Sequence, residues 1–398
     1  MKVHNDIVAA IDRGHVGALA MLDLSSAFDT VDHQTLLSIL QERFAVTDSA
    51  LNWFRSYLTG RSGSVHLASD VSDAITVNCG VPQGSSLGPK LFIAYTEELD
   101  EVLDQHHMSH HCFADDTQAY VDVPRSQVAT VAPQLQNCIA DMSNWCGARR
   151  LQLNPTKTEV MWFGSKASLQ CIPSSEKNIV VGKDTIMPAD SVRDLGVQFD
   201  SEMNMHAHIS KITQTCFLHL RRLRQIRRLL GRDVTATLVS ALVISRLDYG
   251  NAVLAGLPHS STAPLQRVLN SAARLVCGLR PRDHVTESLI NLHWLPVTGR
   301  IEFKLCVLVY KSLNGIAPSY IDDMIQPVSA LQRQVTLRSA TTIDLFVPRA
   351  RLRFGERAFS IAAPLLWNSL PAETRNVATL ETFKKKLKTF MFYKHLGD

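Results

Sequence analysis

The sequence predicts an α+β first half followed by a mostly helical second half. Three observations carry this. An apolar run, "GALAMLDL" at 17–24, has the length of a buried strand and ends near a carboxylate, Asp23. "HCFADDTQAY" at 111–120 sets apolar and aromatic residues on both sides of two adjacent aspartates, which reads as a β-hairpin with the pair at its tip. After about residue 205 the apolar spacing turns helical and stays so through about 320.

The elements follow in order. Leu36, Leu37, Ile39, Leu40 and Phe44 recur at helical spacing, and Asp32 is placed to cap that helix. "LNWFRSYLTGR" predicts a second helix stopped at Gly60. Strands are expected near 64–68 and 74–79. "GVPQGSSLGPKLFIAYTEELDEVL" opens as a Gly/Pro/Ser loop and becomes a helix. A helix is expected over 126–149, a strand over 158–163, and a short extended stretch at "SVRDLGVQFD". In the second half, Ile209, Ile212, Cys216, Leu220 and Leu223 share one helical face, with Gly231 as the expected end.

Composition bounds the function. A chain of 398 residues with 45% hydrophobic and 20% charged residues can bury two or three cores. The net charge of +4 says little by itself; its distribution matters more. Eight scattered cysteines without a CxxC pair predict reduced thiols in an intracellular protein, cytoplasmic or nuclear. No apolar signal core opens the chain, and no run of about 18 apolar residues predicts a membrane span.

The adjacent aspartates pose the chemical question. Asp115 and Asp116 repel each other, and burial worsens this, because a buried charge needs a partner. If the strand ending at Asp23 lies beside the hairpin, three carboxylates converge. Such a cluster suits a hard divalent cation bound through oxygen. An isolated "DD" is more often a plain polar turn.

The pair is not isolated. "LDLSSAFDTVDH" (22–33), "GVPQGSSLGPKLF" (80–92) and "FADD" (113–116) occur in that order. The sequence thereby resembles the reverse transcriptases of non-LTR (LINE-type) retrotransposons, with these stretches similar to motifs A, B and C of the polymerase palm. "LQLNPTKTEVMWFG" (151–164) resembles motif D and "DLGVQFD" (194–200) motif E. "HWLPVTGRIEFKLCVLVYKSLNGIAPSYI" and "FGERAFSIAAPLLWNSLP" are similar to the C-terminal region of many such elements.

The resemblance implies an antiparallel palm sheet with packed helices over 1–200, a helical thumb over 201–290 and a retroelement C-terminal region over 291–398. It implies RNA-directed DNA polymerase activity, with an RNA template, a DNA primer, dNTPs and two Mg²⁺ ions, or Mn²⁺ in their place. Asp23, Asp115 and Asp116 match the metal-binding carboxylates. Phe28 matches the residue under the incoming sugar, where it would exclude a 2′-hydroxyl. That bulk and "ADD" rather than "GDD" argue against an RNA-dependent RNA polymerase. Gly80, Pro82, Gln83 and Gly84 match the loop that touches nucleotide and template; Gly88 stands where the family usually has serine. Lys157 matches the proton donor to pyrophosphate, and Leu195 and Gly196 the primer grip. Arg221, Arg222, Arg224, Arg227 and Arg228 crowd one helix with no acid between them, which suits phosphate contacts by a thumb. The closing "KKKLK" at 384–388 is read as a solvated run, and Cys277, His284, His293 and Cys306 lack the spacing of a zinc finger.

The chain starts 22 residues before Asp23. The expectation is therefore that the family's fingers region is almost wholly absent, and an endonuclease domain too. The alternative to a polymerase is a catalytically inactive fragment that at most binds nucleic acid.

Overall fold

The structure, a computed structural model, describes residues 1–181, 184–330 and 344–397. The chain divides into two compact units, one of residues 15–192 and one of residues 1–14 with 193–398. The first helix, α1 (Lys2–Arg13), thus belongs with the second unit.

The unit of 15–192 is built on a four-stranded antiparallel sheet. Its strands are β1 (His15–Leu22), β2 (Ser109–Phe113), β3 (Asp116–Pro124) and β4 (Glu159–Phe163), in the order β2-β3-β1-β4. β1 lies centrally, pairing His15 with Pro124 through Leu22 with Thr117 on one side, and Gly17 with Phe163 on the other. Val16, Ala18, Ala20 and Leu22 alternate along β1 and enter one core. Helices α2 (His33–Glu42), α3 (Asp48–Leu58), α4 (Gly88–Tyr95), α5 (Leu99–Gln105) and α6 (Val131–Ala148) supply the rest of it. From α6 come Leu135, Cys138, Ile139, Met142 and Cys146.

The α+β expectation holds, with local differences that have physical causes. The helix expected after the Gly-rich loop is two helices. The Thr96 hydroxyl bonds back to the Phe92 carbonyl at 3.1 Å and closes α4 there. The helix expected from 126 begins as a 3₁₀ turn over Arg125–Thr130, none of it buried, and is α-helical only from Val131. The strands expected near 64–68 and 74–79 are short ribbons, Arg61–Gly63 with Ile75–Val77 and His66–Leu67 with Asp70–Val71.

In the unit of 1–14 and 193–398, a hairpin of β5 (Ser191–Asp194) and β6 (Val197–Asp200) precedes the long α7 (His206–Ile226). α7 buries Ile209, Cys216, Leu220 and Leu223 and packs on α8 (His259–Cys277). Gly231 does not end α7. The helix stops at Ile226, passes through a 3₁₀ turn over Arg227–Leu229, and Gly231 caps the start of the helix Arg232–Val239. α9 (Val297–Leu313) packs against α10 (Phe359–Asn368) and α11 (Leu380–Leu396). Tyr310 stacks on Phe383 at 4.4 Å. The N-terminus is tied in by Asp12, whose carboxylate accepts from the backbone N–H of Arg351 and of Leu352, each at 2.7 Å. Among the described residues no helix is long and apolar enough to cross a membrane.

Gly17 marks the tightest point of the sheet. A Cβ there would meet the Val121 carbonyl oxygen at 2.0 Å and the Phe163 ring at 2.6 Å. Backbone cannot yield as a flexible side chain would, so Gly17→Ala is expected to cost at least about 3 kcal/mol, the upper range of overpacking. Urea unfolding reads this directly, and a variant with an unmoved midpoint would contradict the packing described.

Candidate active site

The β1–β3 register assembles the carboxylates. Leu22 pairs with Thr117, so the next residues outward on the two strands are Asp23 and Asp116. The β2–β3 hairpin pairs Phe113 with Asp116 and turns through Ala114 and Asp115, with Ala114 at φ +55°. Asp115 sits in that turn. The adjacent charges are felt: burial, then the charge of Asp115, then that of Asp23, push the Asp116 carboxyl above the usual carboxylate range.

Motif D reaches the same place. The Asn154 N–H donates to the Asp23 carbonyl at 2.9 Å, and the Asn154 side chain accepts from the Thr156 hydroxyl and N–H. This turn brings Lys157 Nζ to 3.2 Å from Asp23 Oδ2. The contact is an ion pair by distance but lacks hydrogen-bond geometry, and the buried Oδ2 has no hydrogen-bond donor. An orphaned carboxylate oxygen and a crowded neighbour fit a hard divalent cation. The carboxylates are not drawn into a finished nest: among the described residues no three His, Cys, Asp or Glu side chains are grouped closely enough to hold a metal ion.

The Gly-rich loop folds onto motif A. Gly80 N–H donates to the Val31 carbonyl and Val81 N–H to the Phe28 carbonyl, both at 2.8 Å. Gly80 has φ +84°, and a Cβ there would lie 2.9 Å from the Asp29 carbonyl, so glycine is required twice over. Gln83 Nε2 donates to Asp29 Oδ1 at 2.8 Å, and the Pro82 carbonyl accepts from the Ser85 hydroxyl at the same distance. Gly84, at φ +78°, is exposed with open space around it. At Gly88 a Cβ would meet the Pro82 carbonyl at 2.9 Å, so this loop has no room for the family's usual serine without shifting. Phe28 is half-buried and stacks on Phe92 with ring centroids 4.8 Å apart.

Some positioning residues escaped the sequence reading. His33 Nε2 bonds the Gly80 carbonyl at 2.8 Å. Tyr95 accepts from the Asp32 N–H and donates to the Arg149 carbonyl. Asp32, by contrast, is the α2 cap that the sequence predicts, accepting from the N–H and the hydroxyl of Thr35 at 2.8 Å, and it also pairs with Arg150 at 2.6 Å. The buried polar pair "DH" at the start of an apolar helix was the available signal.

Leu195, Gly196 and the arginine helix lie in the other unit. Leu195 and Gly196 form the β5–β6 turn with φ +43° and +86°, as a type I′ hairpin turn requires. Tyr249 donates to the Leu195 carbonyl and lays its ring against Gly196. Arg221, Arg222, Arg224 and Arg228 are exposed. Arg227 departs from the expectation. Its guanidinium donates to the carbonyls of Leu275, Val276 and Leu230 at 3.0, 3.1 and 2.8 Å, so it closes the end of α8 instead of facing outward for a phosphate.

Comparison with known proteins gives a family and several relatives. The profile of the family described as "Reverse transcriptase (RNA-dependent DNA polymerase)" matches residues 8–199. The chain is 27% identical over 310 residues to the probable RNA-directed DNA polymerase from transposon BS of Drosophila melanogaster, covering 73% of this chain and 32% of that protein. It is 24% identical over 283 residues to the probable polymerase from transposon X-element of the same fly, covering 70% and 30%. With the RNA-directed DNA polymerase from mobile element jockey, also of that fly, it shares 22% over 362 residues, covering 88% and 37%. The chain spans about a third of the length of these relatives.

Asp32 yields a prediction with a sign. Burial raises its carboxyl, but the bonds from Thr35 and the charge of Arg150 outweigh that and hold it below the usual carboxylate value. A depressed folded-state pKa gives stability that is present above the unfolded value, about 3.9, and lost as pH falls through the folded value. Asp32→Ala is therefore expected to cost about 1–2 kcal/mol at neutral pH, in the range of lost helix caps, with the gap closing below about pH 4. Denaturation curves across pH test it; a gap that persists in acid would remove the charge from the account. The match over residues 8–199 and the arrangement of motifs A to D together identify this part of the chain as a reverse transcriptase domain, in a chain related to the RNA-directed DNA polymerases of non-LTR retrotransposons.

Proposed function

We propose that the chain is the polymerase part of a retrotransposon protein. It extends a DNA primer on an RNA template by transferring nucleotides from dNTPs to the primer 3′-OH. The observation that carries this is the strand register that sets Asp23 opposite Asp116, beside Asp115. The fold is read as palm over 1–200, thumb over 201–290 and a C-terminal region over 291–398. The protein works inside the cell, where its RNA template is.

Asp23, Asp115 and Asp116 would hold two Mg²⁺ ions, or Mn²⁺, which when bound would supply activation of the 3′-hydroxyl and stabilisation of the charge on the departing pyrophosphate. The chain's own groups do the rest. Lys157, held beside Asp23 by the Asn154 turn, gives a proton to the leaving pyrophosphate. Phe28, wedged on Phe92, stands under the sugar and rejects a 2′-hydroxyl. Gly80, Pro82, Gln83 and Gly84 meet nucleotide and template, with Gln83 steadied by Asp29. Leu195 and Gly196 hold the primer end. Arg221, Arg222, Arg224 and Arg228 bind duplex phosphates without reading sequence.

Primer extension by the chain on an RNA template, with Mg²⁺ and dNTPs, tests the reading. Asp23→Asn, Asp115→Asn or Asp116→Asn is expected to lower incorporation by about 10³-fold or more, since a lost transition-state ligand costs several kcal/mol. Product that survives these changes sinks the metal assignment, and a folded chain that yields no product favours the non-catalytic fragment.

Phe28→Ala should raise use of ribonucleotides relative to deoxyribonucleotides, because the clash goes and the phosphate contacts stay. Competition between the two nucleotide types measures the ratio. No change in it would return Phe28 to the core.

A further inference from the structure

In the lysine run near the C-terminus, Lys384, Lys385 and Lys386 are exposed and Lys388 is half-buried. Lys384 and Lys388, one turn apart on α11, line a cavity of about 630 Å³ together with Lys304 and Lys311 of α9. That volume lies within the range of small-molecule sites, about 300–1,000 Å³. Among the described residues lining it, Asp248 is the one acid, and Arg300 holds it by a two-pronged ion pair with Nε at 2.7 Å from Oδ1. Four lysines thus face a hollow whose only carboxylate is spent. Burial, and then the charge of Arg300, push the Lys388 ammonium below its usual value. The missing partner is an anion.

Two further features narrow the anion. Trp294 and Phe303 line the same hollow, and neither is fully buried. Asn251 also lines it; this side chain is 3% exposed, and its Oδ1 has no hydrogen-bond donor. A buried acceptor without a donor is costly unless something supplies one. Phosphate for the lysines, a flat ring for the aromatics and a donor for Asn251 are the parts of a nucleotide. A hollow of this size accepts a base only when it is splayed out of a helix. The 2′-hydroxyl is a donor that DNA lacks.

We infer that this cavity takes one unpaired nucleotide of an RNA strand, its phosphate on the lysines, its base against Trp294 or Phe303, and a donor group on Asn251 Oδ1. The site is distinct from the carboxylate cluster and does not depend on catalysis. Through it the C-terminal region holds single-stranded RNA.

The test uses the whole chain and an oligouridylate RNA carrying 5-iodouridine, in EDTA so that no nucleotide transfer occurs. Binding then stands or falls separately from the polymerase reading. Photo-cross-links are expected on the peptide that contains Trp294 or Phe303. Lys304→Gln combined with Lys388→Gln should weaken binding and reduce the salt slope by about 0.7, the share of the one phosphate that the lysines hold on a single strand. Lys385→Gln, on the same helix but outside this cavity, should leave the slope unchanged. Should the double variant fail to fold, Trp294→Leu, which keeps the position apolar but removes the ring, should lose the cross-link at that position or move it to Phe303. Cross-links confined to other peptides, or an unaltered slope in a folded double variant, overturn the inference. So does lysine-dependent binding of duplex DNA or anionic vesicles as tight as that of the RNA.

Discussion

The candidate active site depends on the pairing register of β1 and β3. That register is set well away from the carboxylates, by eight residue pairs from His15–Pro124 to Leu22–Thr117. It brings Asp23 and Asp116 opposite each other although their charges repel. A slip of one residue would turn every core side chain of β1 to the other face, so the burial of Val16, Ala18, Ala20 and Leu22 locks the register. Gly17 locks it again, because only at that position can the strand lie so close to Val121 and Phe163. Hydrophobic burial thus acts against electrostatics: the core fixes a geometry that the carboxylates alone would disperse.

Motif A is held from its other end by the Gly-rich loop. Gly80 and Val81 add backbone hydrogen bonds to the segment carrying Phe28, Asp29 and Val31, and Asp32 pairs with Cys79 in an isolated bridge. His33 and Tyr95, both buried, then satisfy polar groups that this close approach would strand. The Gly-rich loop and the segment that carries Asp23 and Phe28 are therefore packed together. A change at Gly80 would be felt at Asp29 through backbone contacts, and one at Gly88 at the Pro82 carbonyl, before any ligand is considered.

Much of this was legible in the sequence, for identifiable reasons. The apolar run before Asp23 and the hairpin around Asp115 and Asp116 are local signals, and both elements formed as expected. The Asp32 cap is local too. What escaped was decided by distant partners. Nothing near Arg227 in sequence reveals that the carbonyls of Leu275 and Val276 will claim it, so it reads like its neighbours Arg224 and Arg228. Gly231 reads as a helix end because glycine is far commoner after a helix than before one, yet here it is the N-cap of the next helix.

Charge is treated in two ways within this chain, and the contrast separates support from function. Where a charge holds shape, a counter-charge is supplied: Asp32 has Arg150, Asp248 has Arg300, Glu302 has Lys394 and His395, and Asp344 has Arg375. These are the same residue types, in the same chain, so the fold does not lack means to pair them. Elsewhere among the described residues like charges crowd together. Asp116 is crowded by Asp115 and Asp23, and Lys388 by Arg300. The one answer near the carboxylates, Lys157, keeps a side chain that is 65% exposed and makes no aligned hydrogen bond to Asp23, so it is free to leave. Crowding like charges lowers stability, and such sites persist where a ligand of opposite charge restores the balance. The sign of each cluster is what the two proposals rest on: negative at the three aspartates, positive at the lysines.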